Sequence, residues 1–210
     1  IYSYNGTAPY TNYLTTSPLT GTAITFDNPP GGPSSMAFAN KDDVSVDVSW
    51  QAGVNATGYV VLAKANGPST GIPSVGTQYN VGDFIGDGVV VYDGPSSSFT
   101  ASGLSPLTTY FFTVYAYTGL GSVTNYNTAS PVTSGVQTLN AKPQYQAVNF
   151  SVSNVTSSSY DITFEDDPNN IGGTYIVLVT DGVTPPADVP SPGTTYSLGA
   201  VIGSSSVTYI

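Results

Sequence analysis

Hydrophobic and polar residues alternate with a period of two along much of the chain. Three such runs are Val44–Trp50, Tyr110–Ala116 and Tyr160–Phe164. Alternation places one face of a strand in a core and the other face in water. Clusters of Gly, Pro, Asn and Asp separate the runs, as turns require. Because no run of ten or more residues has helical spacing with capping residues, the pattern predicts an all-β protein built of β-sandwiches.

The sequence also repeats itself at a distance of about 115 residues. The matched segments, earlier one first, are 46–50 (VDVSW) with 160–164 (YDITF), 59–62 (YVVL) with 175–178 (YIVL), and 76–79 (GTQY) with 193–196 (GTTY). Self-similarity at a fixed period is the signature of tandem modules, each of which is one folding unit.

A second match links the start of the chain to a later part of the same module. Residues 1–6 (IYSYNG) align with residues 114–119 (VYAYTG), and the alignment continues without a gap until Tyr13 meets Tyr126 and beyond. Residues 1–26 are therefore predicted to be the C-terminal strands of a preceding, partial module.

The chain is thus predicted to hold one whole module between two partial ones. Residues 33–138 form the complete module, and residues 147–210 form the N-terminal part of the next, since Ile210 aligns with Asp93. A sandwich divided between strands leaves open edges and an uncovered apolar face. Three explanations remain: a longer parent chain, a tail that completes the head of the next copy, or a fragment held by another protein. We favour the longer parent, because tail and head supply no counterpart for the strand around Ser98 to Thr100 or for residues 103–113.

The complete module contains the motif LSPLTTY at residues 104–110, followed by the alternating run FFTVYA. This resembles the L-x-P-x-T-x-Y signature of fibronectin type III domains and the sixth strand that follows it. The resemblance implies a core tryptophan, an aromatic residue on the third strand, and a tyrosine corner at Tyr110 whose hydroxyl bonds to nearby backbone. The predicted core residues are Trp50, Tyr59, Leu104, Tyr110 and Phe112, with Phe164 and Tyr175 in the last partial module.

One segment departs from that family. Residues 65–88 form a longer connection than an ordinary module has at this place, and the insert recurs in shortened form at residues 193–204. Together with the ending at residues 4–21, the insert is similar to repeat modules of large secreted surface proteins of Bacteroidota. These include gliding and adhesion proteins exported by the type 9 secretion system. The resemblance implies a secreted, cell-surface protein that contacts secretion machinery or surface glycans.

Composition excludes several classes of function. The chain has 3 Lys and Arg against 13 Asp and Glu, a formal net charge of -10, so a phosphate backbone is repelled and no nucleic acid is expected. It has no His and no Cys, which removes the usual nucleophile–base pairs and the commonest metal ligands. No apolar run approaches the roughly 20 residues of a membrane helix. We expect no enzyme, no cofactor and no membrane span.

The metal candidates are weak ones for calcium: Asp83 and Asp87, four residues apart in a Gly-rich loop, or Asp42 and Asp43 near a junction between modules. Calcium takes oxygen ligands from carboxylates and carbonyls. No D-x-[DN]-x-[DN]-G pattern is present, however, and the residues of the next module that align with the loop pair, Ala200 and Ser204, are not acidic. These aspartates are therefore interpreted as surface charges.

These observations favour a non-enzymatic, secreted cell-surface repeat protein whose modules form an extended stalk or fibre. Adhesion or surface motility is what the resemblance implies, and the expected partners are neighbouring modules of the same or an identical chain. Pro-bearing linkers at residues 27–33 and 140–145 stiffen the connections. Two alternatives remain. One is a carbohydrate-binding accessory module of a secreted enzyme, which would present a row of exposed Tyr. The other is a self-polymerising subunit closed by strand exchange.

Overall fold

The computed structural model describes residues 1–169, 174–182 and 187–210, and it confirms the all-β prediction. Within those residues every strand pairing is antiparallel, and the only helical element is a single 3-10 turn, Gly121–Val123. The strands are β1 (Tyr4–Asn5), β2 (Asn12–Tyr13), β3 (Ser34–Ala39), β4 (Ser45–Gln51), β5 (Gly58–Ala65), β6 (Phe84–Ile85), β7 (Gly88–Gly94), β8 (Ser98–Ser102), β9 (Thr109–Thr118), β10 (Asn125–Tyr126), β11 (Val132–Gln137), β12 (Val148–Ser153), β13 (Asp161–Glu165), β14 (Val177–Val179), β15 (Val201–Ile202) and β16 (Ser205–Tyr209).

The middle of the chain is a sandwich of two sheets. One sheet has the order β3-β4-β8, and the other runs β10-β9-β5-β7-β6, with β11 also paired to β9. Strand β4 shows why the sequence folds this way: Val46, Val48 and Trp50 point into the core, while the residues between them face outward. Each buried aliphatic side chain of this kind contributes roughly 1.5–3 kcal/mol.

Trp50 lies at the centre of the core between the sheets. Its indole contacts the rings of Tyr59, Tyr92 and Phe99 edge to face, with centroids 5.3, 6.0 and 6.3 Å away. Edge-to-face ring pairs stabilise the core beyond the burial of their apolar surface, because the edge of one ring is attracted to the face of the next. The indole Nε1 is buried and has no hydrogen-bond partner, so the side chain of Trp50 is held by packing alone.

The other predicted core residues are found at different depths. Leu104 and Phe112 are buried in the same core, and Tyr110 packs half-buried against it. The hydroxyl of Tyr110 accepts a hydrogen bond from the backbone N–H of Ser105 at 3.1 Å, which is the geometry of a tyrosine corner. In the last part of the chain, Phe164 and Tyr175 are half-buried, with ring centroids 5.4 Å apart.

A second apolar cluster lies on the outer face of the larger sheet. Alternation alone would place Thr113 and Tyr115 on a face open to water, yet only 3% and 4% of their surfaces are exposed. The insert between β5 and β7 covers this face and turns the sandwich into three layers. The outer cluster, as we call it, consists of Val60, Leu62, Ile85, Val90, Tyr115, Tyr117 and Tyr126, with Tyr79 packed against it.

Residues 147–210 rebuild the first part of this domain, apart from 170–173 and 183–186, which lie outside the described residues. The pair β12-β13 repeats β3-β4, with a bulge at the same place in each. The sheet β14-β16-β15 repeats β5-β7-β6, and its bulge at Val177/Leu178 matches the one at Val61/Leu62. A bulge is a specific local feature, and here it recurs at aligned positions of the two segments.

Candidate interaction site

The insert is tied to the sheet by tyrosine hydroxyls. Tyr115 Oη donates to the Gly71 carbonyl at 2.8 Å, and Tyr126 Oη donates to the Thr77 carbonyl at 2.9 Å. Burial raises the pKa of both hydroxyls above the ordinary value, so they remain protonated donors. Each tyrosine ring therefore packs in the apolar cluster, while its hydroxyl holds the turn of the insert above it by a hydrogen bond.

Tyr117 completes this row from the neighbouring position. Its hydroxyl donates to Asp93 Oδ1 at 2.8 Å. Burial raises the pKa of Tyr117 well above the ordinary value, and the Asp93 carboxylate raises it further by stabilising the protonated hydroxyl. In the insert itself, the hydroxyl of Tyr79 accepts a hydrogen bond from the backbone N–H of Ser74 at 3.0 Å.

The two calcium candidates of the Gly-rich loop, Asp83 and Asp87, form hydrogen bonds within the insert, and Asp87 also pairs with Lys64. Asp87 Oδ2 lies 2.6 Å from Lys64 Nζ, and Asp87 Oδ1 accepts from the backbone N–H of Thr70 at 2.8 Å. The Lys64 ammonium and then the Thr70 N–H hold the pKa of Asp87 far below its usual range. Asp83 Oδ2 accepts from the backbone N–H of Asn80 at 2.8 Å. Across the described parts of the chain, no group of three or more His, Cys, Asp or Glu could hold a metal ion.

Sequence alignment missed the counterpart of Asp87. Asp188 performs the same task from the other side of the turn: its Oδ2 accepts from Ser204 N at 2.9 Å and from Ser205 Oγ at 2.8 Å. Ser205 Oγ and then the Ser204 backbone N–H hold the pKa of Asp188 below its usual value. Because the acid lies in the hairpin turn in one case and in the preceding loop in the other, comparison of aligned positions finds Ser204 opposite Asp87.

Other features of the insert are repeated without such an exchange. The hydroxyl of Tyr196 accepts from Ser191 N at 2.9 Å, as Tyr79 accepts from Ser74. The next turn closes identically in both copies: the backbone N–H of a glycine donates at 2.8 Å to Val90 O in the first and to Val207 O in the second. The insert is thus a structural unit of each module and not an irregular loop.

The insert also forms the contact with the preceding part of the chain. A Cβ placed on Gly76 would lie 3.5 Å from Phe26 Cζ, and one placed on Gly193 would lie 3.5 Å from Leu139 Cδ2. Phe26 and Leu139 are aligned residues, as are the two glycines. The same joint therefore occurs twice: the last apolar residue of one unit packs on the insert turn of the next.

Hydrogen bonds from side chains to backbone carbonyls hold the linker that enters the domain. Thr118 Oγ1 donates to Asn28 O at 3.1 Å, and Asn127 Nδ2 donates to Pro30 O at 2.7 Å. Asn125 Nδ2 donates in the same way to the carbonyl of residue 27 at 2.6 Å. These bonds attach the linker to the end of the larger sheet.

An ion pair fixes the linker that leaves the domain. Lys142 Nζ lies 2.7 Å from Asp42 Oδ2 and 3.9 Å from Asp43 Oδ1. The Lys142 ammonium is the largest cause that lowers the pKa of Asp42, and it is itself stabilised by that carboxylate. Glu165, the last residue of β13, accepts a hydrogen bond from Asn149 Nδ2 at 2.6 Å.

Comparison with known proteins identifies the fold. The antiparallel sandwich with a tyrosine corner is of the immunoglobulin-like class. The sequence profile of the fibronectin type III domain matches residues 31–133, so the chain contains a fibronectin type III domain there. Such domains are typically non-catalytic and are often found in extracellular or adhesion proteins.

Several solved structures match part of this chain at low identity. The FN5 domain of Drosophila Lar has 21% identity, covers 53% of this chain and 99% of its own, and has a TM-score of 0.33. An FN3 domain of human collagen XX has 22% identity, covers 56% and 100%, and has a TM-score of 0.33. The FN1-FN3 domains of chicken CNTN1 have 18% identity, cover 72% and 47%, and have a TM-score of 0.35. Comparison with curated proteins finds no match. Among the described residues there is no helix with the length and apolar character needed to cross a bilayer.

Proposed function

We propose that this protein is a non-catalytic, secreted repeat protein of the cell surface, in which sandwich modules follow one another as a semi-rigid stalk for adhesion or surface motility. One observation carries the proposal: the joint of Phe26 on Gly76 recurs as Leu139 on Gly193. A joint that is used twice at aligned positions sets a repeating geometry, which is the requirement for an extended array.

The composition and contacts of the two linkers support the proposed stiffness of the stalk. Pro30 and Pro143 limit rotation of the backbone, and the bonds at Asn127 and Lys142 attach both linkers to the middle domain. A stalk transmits force only when its joints resist bending, so such contacts are expected in a protein that holds a cell to a surface or carries movement along it.

The tyrosines of the middle domain favour the stalk over the glycan-binding alternative. Every tyrosine between residues 31 and 139 is buried or half-buried, and several hydroxyls are engaged with the insert. A platform for sugars needs exposed aromatic faces. The tyrosines of the middle domain are therefore used for internal packing. The Bacteroidota origin and export by the type 9 system belong to the same proposal, through the resemblance of the insert.

The stiffness is tested by double electron–electron resonance between spin labels on Ser102→Cys and Ser206→Cys, both exposed, in a chain that has no native cysteine. We expect one narrow distance distribution. Leu139→Ser should broaden it, while Leu120→Ser, an exposed leucine away from the joint, should not. A broad distribution in the unmodified pair would contradict a semi-rigid stalk.

The cellular role requires a separate experiment. Antibodies against this chain should label intact cells of the producing organism without permeabilisation. Deletion of the gene should reduce attachment to surfaces or spreading over them, and a plasmid copy should restore it. Exclusively intracellular labelling would overturn the proposal.

A further inference from the structure

Large apolar side chains are exposed along the insert of the middle domain. Ile72, Val75, Val81 and Phe84 have exposed fractions of 64%, 47%, 66% and 72%. A single exposed apolar residue is normal on a protein surface and needs no explanation. Several of them within one short segment need one, because the side of the insert that packs on the outer cluster is already supplied by other residues.

Three of these positions are apolar and exposed again in the last part of the chain. The aligned pairs, with the earlier residue first, are Ile72 with Val189, Val81 with Leu198, and Phe84 with Val201. The three later residues are 76%, 67% and 69% exposed. We call these three positions the apolar triplet of the insert. Val75, which lies next to the joint glycine, aligns with a proline and is left out of it.

Exposed apolar residues outside the insert are not repeated in this way. Val44 and Val54 of the middle domain are exposed, and they have aligned residues in the last part of the chain. Those residues are Ser158 and Pro168, neither of which is a large aliphatic or aromatic residue. Large apolar side chains therefore recur at the triplet and not at exposed positions in general.

The local structure does not require apolar residues at the triplet. Val81 and Leu198 each occupy the second position of a turn that is closed by a backbone hydrogen bond of 3.0 Å and has a glycine of positive φ at its third position. A turn of this form, as in type II, favours Pro at the second position and needs no apolar side chain there. Phe84 and Val201 lie on the edge strands β6 and β15, where charged residues or Pro usually prevent unwanted contacts. The fold alone therefore does not explain the triplet.

The backbone brings the members of the triplet into one small region of the insert. Gly71 lies so close to the carbonyl oxygen of Ile85 that there is no room for a Cβ on it. Ile72 follows Gly71 and Phe84 precedes Ile85, so these two residues flank the contact. Val81 lies in the turn that leads into β6.

Neither the module itself nor its neighbours in the chain cover the triplet. The middle domain is a whole module, and it leaves its own Phe84 exposed. The later copy of the insert follows that whole module, which packs on it at Gly193 and still leaves Val201 exposed. The exposure of the triplet is therefore a property of a module within an array.

The triplet repeats apolar character and not shape. Between the two copies Ile is exchanged for Val, Val for Leu, and Phe for Val. A pocket of a protein partner discriminates between side chains of such different volume, because a void or a clash in a packed contact is costly. A specific protein interface also takes roughly 20–30 residues a side. A partner that accepts apolar side chains of any shape, as an extended apolar surface does, fits these observations.

The charges of the insert disfavour an anionic surface. Residues 65–88 contain no Lys or Arg, and Lys64, which precedes them, lies 2.6 Å from Asp87. The carboxylates of Asp83 and Asp87 repel phosphate headgroups and acidic polysaccharides. An uncharged apolar surface meets no such repulsion.

We propose that the apolar triplet of each insert is an adhesive contact that binds an uncharged, apolar surface. The inference rests on the proposed function and names the kind of surface to which the stalk attaches. Each module contributes one contact, and the contacts of an array reinforce one another because the linkers hold them at a high effective concentration. Burial of the triplet is driven by the hydrophobic effect, so binding strengthens in sulfate salts.

Binding of the 210-residue chain to gold coated with methyl-terminated or hydroxyl-terminated alkanethiols tests the proposal, with surface plasmon resonance as the readout. We expect reversible binding to the methyl surface that is strengthened by sodium sulfate, and no such binding to the hydroxyl surface. Phe84→Ser combined with Val201→Ser should weaken binding to the methyl surface about tenfold, as the loss of large buried apolar groups does. Val81→Ser combined with Leu198→Ser should act in the same direction.

A matched control comes from exposed apolar residues outside the insert. Val54 and Leu120 are 73% and 66% exposed, close to the 72% and 69% of Phe84 and Val201. Val54→Ser combined with Leu120→Ser should therefore leave binding to the methyl surface unchanged. Thermal unfolding of each double variant establishes that the fold is retained.

The proposal is overturned if the unmodified chain does not bind the methyl surface, or if the control weakens binding as much as the triplet variants do, which is the result of general adsorption. Binding to phosphatidylglycerol vesicles in its place would also overturn it. So would self-association that Phe84→Ser with Val201→Ser abolishes, because a second copy would then be the partner. Failure to bind together with a narrow interspin distance distribution would refute this inference and leave the stalk proposal intact.

Discussion

Asp87 and Asp188 hold the corresponding turns of two aligned segments from opposite sides. Asp87 lies in the β6-β7 hairpin and accepts from Thr70, whereas Asp188 lies before the corresponding hairpin and accepts from Ser204. The partners have changed places, yet a carboxylate still holds the hairpin to the preceding segment. A carboxylate thus links the hairpin and the preceding loop in both segments, and either side can supply it.

Replacing Asp87 by Asn should lower the melting temperature at neutral pH, because the ion pair with Lys64 is lost. The depressed pKa makes this contribution present above the ordinary value of 3.8 and lost as the pH falls through the folded-state pKa. The difference between Asp87→Asn and the unmodified protein should therefore shrink in acid. Thermal unfolding at pH 7, 4 and 2 measures it, with Asp27→Asn as a control carboxylate.

Two glycines with positive φ should respond differently to alanine. Gly121 has a φ of 60° and no atom near its absent Cβ, so Gly121→Ala should cost about 1 kcal/mol for the left-handed backbone. Gly119 has a φ of 73°, and its Cβ would overlap the Val123 carbonyl oxygen, so Gly119→Ala should cost clearly more. Urea unfolding of both variants decides, and equal losses would refute the steric account.

Removal of the Tyr117 hydroxyl should destabilise the domain modestly. Tyr117→Phe keeps the ring in the outer cluster but removes the bond to Asp93, a loss of about 1 kcal/mol. Burial raises the pKa of Tyr117, so its contribution is complete below the unfolded-state value near 10 and is lost as the pH rises further. Stability measured from pH 8 to 12 should thus fall more steeply in the unmodified protein than in Tyr117→Phe.

Limited trypsin digestion should cut the native chain once. Lys64 lies in β5, which is paired on both sides, and Lys142 precedes Pro143, a bond that trypsin does not cleave. Lys41 is exposed in the turn between β3 and β4, where proteases act most readily. Mass spectrometry should find fragments 1–41 and 42–210, with additional cleavage after Lys64 only in urea. Early cleavage after Lys64 in the native chain would contradict the described sheet.

The parts of the fold that could be predicted from the sequence were those that depend on a local pattern of residues. Alternation located β4, where Val46, Val48 and Trp50 share one face, and the motif at 104–110 indicated the tyrosine corner. Alternation failed at Tyr115, because the outward face of β9 is covered by a distant insert. A two-residue period reports that the faces of a strand differ in composition, and it does not report what lies over each face.

The insert could be located in the sequence, but its role could not. Residues 65–88 were identified by length and repetition, and Asp83 and Asp87 were considered only as surface charges or calcium ligands. The partners of Asp87, Lys64 and Thr70, come from a neighbouring strand and loop. Because Lys64 and Thr70 are far from Asp87 in sequence, no local pattern indicates these contacts. In the later segment the acid is Asp188, which does not align with Asp87, so comparison of aligned positions does not indicate them either.

The sequence by itself determined the strand-forming segments, the repeat and the fibronectin type III character of the middle domain, because these depend on the order of apolar and polar residues along a short stretch. The tertiary structure decided which tyrosines are buried, which carboxylates are engaged and how Phe26 and Leu139 meet the following insert. These depend on which surfaces come together in space, and burial is a property of the assembled layers, not of any one segment. The aligned tyrosines show this directly, since Tyr4 and Tyr117 have the same local hairpin and opposite exposure.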